Sequence, residues 1–284
     1  MAKRSGPRAT EPPVICLDEV ARSSPPPKSA RRALRVLTLN LAHGRADGWH
    51  QAFLSRSAIR ANLDAVASVL KREAPDAVAL QEADAPSMWS GRFDHVAYLA
   101  ETTRLSWFTR CDHVQGLGLK YGTALLARHR LREPLAVTFA PTPPTLSKGF
   151  VVATLEWTDH ERTVRPITAV SVHLDFARGA ARRKQVRELL AVLEERRSMP
   201  LVVMGDFNAA WTDDASVVRL LAEKLGLDAF KPDAPDIVTF PFVGRRLDWI
   251  LASRELRVVD FRVLTDVVSD HYAVLCDLEW NEGG

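Results

Sequence analysis

The chain has 284 residues, 46% of them apolar and 26% charged, with 17 prolines and 14 glycines, a balance that excludes a collagen-like or wholly disordered polymer. That length suffices for one large domain or two small ones, either able to bury a sizeable core. The net charge of +3 is unevenly placed, with +5 in the first 35 residues and −2 in the remaining 249, so the body lacks the broad positive field of a protein that grips a duplex through many phosphates.

The first segment contains six of the 17 prolines, at 7, 12, 13, 25, 26 and 27, around one apolar patch, Val14-Ile15-Cys16-Leu17. It offers too little apolar surface to offset its ordering entropy. Residues 1–33 are therefore expected to be a mostly disordered, basic, proline-rich tail, either a solvated arm or an electrostatic tether to nucleic acid or anionic lipid. One catalytic domain is expected over 34–284. The tail lacks the apolar run of a secretory signal, and no later stretch reaches the ~18 apolar residues of a membrane span. Cys16, Cys111 and Cys276 show no paired spacing, which argues against a disulfide framework and fits a reducing, cytoplasmic setting.

From residue 34 onward, strand-length apolar runs alternate with helical stretches. Residues 35–40 predict a strand that ends in a loop with Gly44. Ile59, Leu63, Val66, Ala67 and Leu70 recur at helical spacing over 56–73, Pro75 closes that helix, and 77–81 is a buried strand. Strands follow at 121–126, 150–157 and 167–172, then a helix over 180–197 and a strand at 201–204. A helix near 214–225 and strands at 247–251, 256–263 and 272–278 complete the order. Strands arriving singly, in pairs and between helices fit two mixed sheets packed together with helices outside.

Polar side chains stand where five of these strands end: Asn40, Glu82, His173, Asp206 with Asn208, and Asp270 with His271. Positions i and i+2 of an extended segment point the same way, so Asp206 and Asn208 can face one ligand, and Gly205 leaves room for a close approach. The same tetrapeptide can also be an ordinary turn. Glu82 at the end of a buried strand needs a partner, which a hard cation would supply, or else is solvent-exposed. Asp270 beside His271 can hold a cation and handle a proton near neutral pH. His173 suits a structural hydrogen bond as well as a ligand contact, Asp248 can fix a histidine tautomer or pair with Arg246, and Tyr121 suits the core as well as a site. Oxygen donors outnumber soft ligands, which selects Mg²⁺ or Mn²⁺ over Zn²⁺.

Seven motifs occur in order: Leu37-Thr38-Leu39-Asn40-Leu41-Ala42-His43-Gly44, Leu80-Gln81-Glu82, Tyr121-Gly122-Thr123-Ala124-Leu125-Leu126, Ser171-Val172-His173-Leu174, Gly205-Asp206-Phe207-Asn208, Arg246-Leu247-Asp248-Trp249-Ile250 and Ser269-Asp270-His271. In series they resemble the endonuclease/exonuclease/phosphatase superfamily over about residues 34 to 280. The resemblance implies a four-layer α/β sandwich, two packed mixed β-sheets flanked by helices, and Mg²⁺-dependent (or Mn²⁺-dependent) cleavage of a phosphoester. It makes Glu82 the principal metal ligand, supported by Asn40 and by Asp270. Asp206 resembles the residue that orients or deprotonates the attacking water, and Asn208 the amide that holds it or a phosphoryl oxygen. His271 resembles the essential histidine and Asp248 its orienting partner, while His173 and Tyr121 resemble contacts to the phosphoryl group.

Two departures narrow the substrate. Ala42 stands where some DNA-repair members carry an acidic residue, and the 172–174 segment resembles the phosphodiesterase and phosphatase branches, as well as secreted nucleases, more than abasic-site enzymes. The expectation is a monomeric phosphodiesterase or phosphomonoesterase acting on a small-molecule or lipid-derived phosphoester. A nuclease that borrows the basic tail is the less favoured alternative, and a non-catalytic interaction scaffold is a third. Specificity is expected in loops 43–56, 84–120 and 228–246, with Trp49, Trp89, Arg92 and Trp107 as packing or pocket residues.

Overall fold

The computed structural model describes residues 6–23, 31–46, 54–116 and 118–281. In chain order these form β1 (Arg8–Thr10), β2 (Val14–Cys16), α1 (Glu19–Ser23), β3 (Leu34–Asn40), α2 (Arg56–Glu73), β4 (Ala77–Asp84), α3 (His95–Thr103), β5 (Trp107–Gly116), β6 (Leu119–Ala127) and β7 (Leu131–Thr138). They continue as β8 (Gly149–Thr158), β9 (Val164–His173), α4 (Gly179–Glu194), β10 (Leu201–Asp206), α5 (Val217–Leu225), β11 (Leu227–Ala229), β12 (Asp248–Ser253), β13 (Leu256–Leu264) and β14 (Ala273–Trp280).

The strands make two seven-stranded sheets, in the orders β1-β7-β8-β9-β10-β12-β11 and β13-β14-β3-β4-β6-β5-β2. Both are mixed, because β9–β10 and β3–β4 pair in parallel among otherwise antiparallel neighbours. Alternation along each strand sends one set of side chains into the gap between the sheets, where Val36, Ala79, Leu125, Val151, Met204 and Val274 form one core. The opposite set meets α2 and α3 on one outer face and α4 and α5 on the other. The result is the expected four-layer sandwich.

Helix α2 occupies the range that its periodicity predicts. Ser55 caps its start by accepting the N–H of Ala58, and left-handed Ala74 followed by Pro75 ends it. Among the described residues no helix is long and apolar enough to cross a membrane. Cys16, Cys111 and Cys276 are free thiols.

The N-terminal segment departs from expectation. Residues 8–10 pair with β7 and residues 14–16 with β5, so the tail adds an outer strand to each sheet. Edge strands gain backbone hydrogen bonds without needing an apolar sequence, which is why composition alone points to disorder there. The rest of the tail reading, for residues 1–5 and 24–30, and Trp49 in the 43–56 loop lie outside the described residues.

One buried imidazole links the sheets beside the future site. His113 bridges the hydroxyls of Thr138 at 3.0 Å and Thr123 at 2.9 Å, and Gly149 makes room for it, since a Cβ there would lie 2.4 Å from His113 Cε1. Burial, with the nearby charge of Lys148 adding to it, pushes the His113 pKa down to about 3. The folded state therefore holds a neutral ring, while the unfolded chain takes up a proton below about 6.5. Stability from this group is complete above that pH and falls as pH drops towards 3, by about 2 kcal/mol between pH 6.5 and 5. Thermal melts at these two pH values are expected to show a smaller acid-induced loss for His113→Gln than for wild type; equal losses would remove His113 from the account.

Candidate active site

The sheet register assembles the first half of the site. Asp206, the last residue of β10, lies opposite His173 of the parallel neighbour β9 and opposite Asp248 of the antiparallel neighbour β12. Aligned residues on adjacent strands share a face, so these three side chains enter the inter-sheet gap together. Gly205 permits it: a Cβ there would sit 2.0 Å from the carbonyl oxygen of Val172, closer than any side chain allows.

The facing sheet supplies the second half. Gln81, fully buried, donates to Ser171 Oγ at 3.1 Å across the gap, and the β4–β6 register shifts between Leu80 and Ala83. That bulge sets Glu82 at a φ of 48°, a conformation uncommon for a non-glycine residue and concentrated at functional sites. Asn208 shares it, at 50°. Ser269 Oγ donates to the Asn40 carbonyl at 2.6 Å, which seats the 269–271 loop on the end of β3 and brings Asp270 and His271 to the same mouth.

Asp206 Oδ2 is the focus of the arrangement. It accepts from Asn40 Nδ2 at 3.1 Å and Asn208 Nδ2 at 3.2 Å, with His173 Nε2 at 3.4 Å and His271 Nε2 at 3.9 Å. Burial and the neighbouring Asp248 charge raise the Asp206 carboxyl above the usual carboxylate range, although His271 pulls the other way. His271 Nδ1 bonds Asp248 Oδ2 at 2.8 Å. Desolvation alone would lower His271, but the carboxylates of Asp248 and Asp206 outweigh it and raise the imidazole to about 10. His173 moves oppositely, held well below its ordinary value by burial and Lys148. A neutral His173 accepts from Lys148 Nζ at 3.3 Å through Nδ1, which leaves its proton on Nε2, aimed at Asp206.

Positive charge gathers on Glu82. His43 Nε2 stands 3.2 Å from one oxygen and Lys148 Nζ 3.4 Å from the other. Burial opposes ionisation of Glu82, yet His43 and Lys148 hold its carboxyl far below the usual range. His43 in turn bonds Asp84 at 2.7 Å and meets the ring of Tyr121 edge-on at 4.4 Å. Glu82, Lys148, His173, Asp206, Asn208 and His271 line one cavity of about 530 Å³ that also receives Asn40, Arg45 and Asp270.

The expected residues thus converge, with some qualifications of position. Tyr121 is buried against His43 and is not among the residues lining the cavity, and Asp248 lies behind His271, fully buried. Asp270 is ion-paired to Arg45 at 2.8 Å. Asn40 Oδ1 accepts the N–H of Ala42 at 3.0 Å. Five charged participants escape the sequence argument: His43, Arg45, Asp84, Lys148 and Arg245. Lys148 reaches the site because β8 begins where antiparallel β9 ends, pairing Gly149 with His173.

A divalent cation fits this donor set. Asp206, Asp248 and His271 bring ligand atoms within 4.8 Å of one another, and Asp248 Oδ1 is buried without a hydrogen-bond partner. The mouth also presents the Glu82, Asn40 and Asp270 oxygens, hard donors suited to a hard ion. The His271–Asp248 bond gives the first trio the geometry of an acid–base relay, in which a cation would compete with the imidazole proton.

Solved structures share the fold. An endonuclease/exonuclease/phosphatase from Beutenbergia cavernae aligns with a TM-score of 0.66 at 22% identity, over 88% of this chain and 72% of its own. The catalytic domain of human Nocturnin with bound sulfate aligns at 0.63 and 22% identity, covering 88% and 96%. A mannosyl-6-phosphatase from Bacteroides thetaiotaomicron aligns at 0.63 and 16% identity, covering 87% and 100%. No curated protein matches the chain by sequence. The family model of the Endonuclease/Exonuclease/phosphatase family matches residues 37–271, the stretch that contains every side chain of the cavity. The chain belongs to that family, whose members hydrolyse phosphoesters.

Proposed function

We propose that the chain hydrolyses a phosphodiester or phosphomonoester of a small-molecule or lipid-derived substrate by in-line attack of water, with Mg²⁺ or Mn²⁺ as cofactor. The observation that carries this reading is the convergence of two histidines and two asparagines on one buried carboxylate oxygen of Asp206, beside the cation-seeking Glu82. Asp206, its basicity raised by burial and the neighbouring Asp248 charge, is placed to accept a proton from water. Asn208 orients that water or a phosphoryl oxygen. His271, kept cationic by Asp248, donates to the oxygen on which negative charge develops. His173 and Lys148 contribute further donors to the same cavity, and Tyr121 holds His43 in place.

Glu82 would hold the cation, with Asn40 and Asp270 in support. When bound, the ion supplies fixed positive charge to the phosphoryl oxygens. Glu82→Gln keeps the shape and removes the charge. Calorimetry is expected to record Mg²⁺ and Mn²⁺ binding at least ~10-fold weaker than in wild type; unchanged affinity would place the metal elsewhere, for which the Asp206, Asp248 and His271 trio is the next candidate. Hydrolysis of a phosphoester panel with added Mg²⁺ or Mn²⁺ tests the activity itself, and wild-type inactivity across diesters and monoesters would refute the reading.

A further inference from the structure

The end of the sandwich that carries the cavity also exposes apolar side chains. Phe176 is 63% exposed, Phe242 69%, Val243 52% and Leu146 48%. They come from three loops around one mouth: Leu146 lies two residues before Lys148, Phe176 three after His173, and Phe242 and Val243 sit in a turn that joins cavity residues Phe240 and Arg245.

These loops are held in place. Phe240 and Arg245 form a β-bridge around the helical turn Pro241–Val243, and the Thr239 hydroxyl accepts the N–H groups of Leu247 at 2.9 Å and Asp248 at 3.0 Å. The fully buried Asp175 accepts from the Thr142 and Thr145 hydroxyls and from the N–H of Ala177 and Arg178. That network clasps the Leu146 loop to the Phe176 loop. The apolar groups are thus presented by ordered backbone.

Phe176 and Val243 line the cavity, but Phe242 and Leu146 do not. A small substrate seated inside does not need them, and their exposure places them where a larger surface around the mouth would touch the protein. Beside them the start of α4 is basic. Arg178, Arg183, Lys184 and Arg187 are exposed, with no acidic side chain from 176 to 187, and the nearest acid that follows, Glu188, stands 3.9 Å from Lys184. Arg182 donates to the carbonyls of Asp175 and Phe176 at 3.0 and 3.1 Å, which joins this basic start to the apolar rim.

We propose that the rim docks on an anionic lipid surface, and that the substrate is a phosphoester lipid taken from that surface. Apolar side chains enter the interfacial region while the arginines meet headgroup phosphates, the pairing of apolar and basic groups that interfacial binding uses. The rim mixes aliphatic Leu146 and Val243 with Phe176 and Phe242; a bilayer takes up all four, whereas nucleobases would stack on the two phenylalanines alone. The lipid-substrate half rests on the phosphoesterase reading; the docking half does not.

The test is flotation of the full chain with vesicles of equimolar phosphatidylcholine and phosphatidylserine, and with phosphatidylcholine alone. Wild type is expected to float with the mixed vesicles. The doubly substituted Leu146→Ser, Phe242→Ser protein should bind about tenfold more weakly, and Arg183→Glu with Lys184→Glu should abolish the preference for phosphatidylserine. Both variants should hydrolyse soluble bis(4-nitrophenyl) phosphate at the wild-type rate. Wild type that stays in solution, or a serine variant that floats equally well, overturns docking. So does light scattering in which the serine variant changes a dimer into a monomer, which would make the rim a contact between copies. Vesicle binding without any phosphoester hydrolysis would uphold docking and refute the enzymatic reading; hydrolysis of the soluble diester without vesicle binding would do the reverse.

Discussion

Asp206→Asn is expected to lower turnover by about 10³-fold, the middle of the range for loss of a general base. The substitution keeps the volume of a buried side chain and removes its ability to take a proton. It also reverses one polarity: Asn40 Nδ2, Asn208 Nδ2 and His173 Nε2 all point donors at Oδ2, and the backbone N–H of Asn208 donates to Oδ1 at 2.9 Å. An amide must turn its own NH₂ towards one of these donors, leaving an unsatisfied buried group that costs about 1–3 kcal/mol. Relief from burying a carboxylate offsets part of that cost. Thermal melting should therefore shift by a few degrees while kcat on a soluble phosphodiester collapses. A folded variant with wild-type kcat would remove Asp206 from proton transfer.

His271 and Asp248 are expected to behave as one unit. Each single change, His271→Gln or Asp248→Asn, should cost about 10²-fold or more in kcat, and the double variant should cost no more than the worse single. The reason lies in the 2.8 Å bond from Nδ1 to a fully buried carboxylate. Without Asp248 the ring loses both its orientation and the largest source of the charge that holds it protonated. Without His271, Asp248 has no route to the substrate, since it lies behind the imidazole. Phe240 supports the ring from another side, its centroid 4.6 Å away. Multiplicative losses in the double variant would show that the two act separately.

Much of the site is legible in the sequence because strand period and strand ends carry it. Asp206 and Asn208 share a ligand-facing side through i and i+2 spacing, and Gly205 marks a close approach, here to the Val172 carbonyl. What escapes has physical causes. Strand β5 carries Arg110 and Asp112 within it, which interrupts its apolar run; Arg110 faces outward to Asp94 and Asp112. Strand β7 contains Pro134 and is bulged between Arg132 and Leu135, features that read as a loop. Helix α3 is short and depends on Asp94 accepting the N–H of Ala97. Lys148 is hidden because polar residues at strand ends attract notice, whereas an antiparallel neighbour brings its beginning to the same mouth. His43 lies in a tight turn with no period of its own.

The two strands contributed by residues 8–16 have a mechanical consequence. Only Glu11, Pro12 and Pro13 separate the strand that finishes one sheet from the strand that finishes the other, so a single short span of chain staples the sandwich shut along that side. Cutting the protein back to Leu34 would bare the outer rows of backbone amides and carbonyls on β5 and β7 together, inviting self-association. A stretch whose composition suggests a dispensable leash is in fact the hem of both layers.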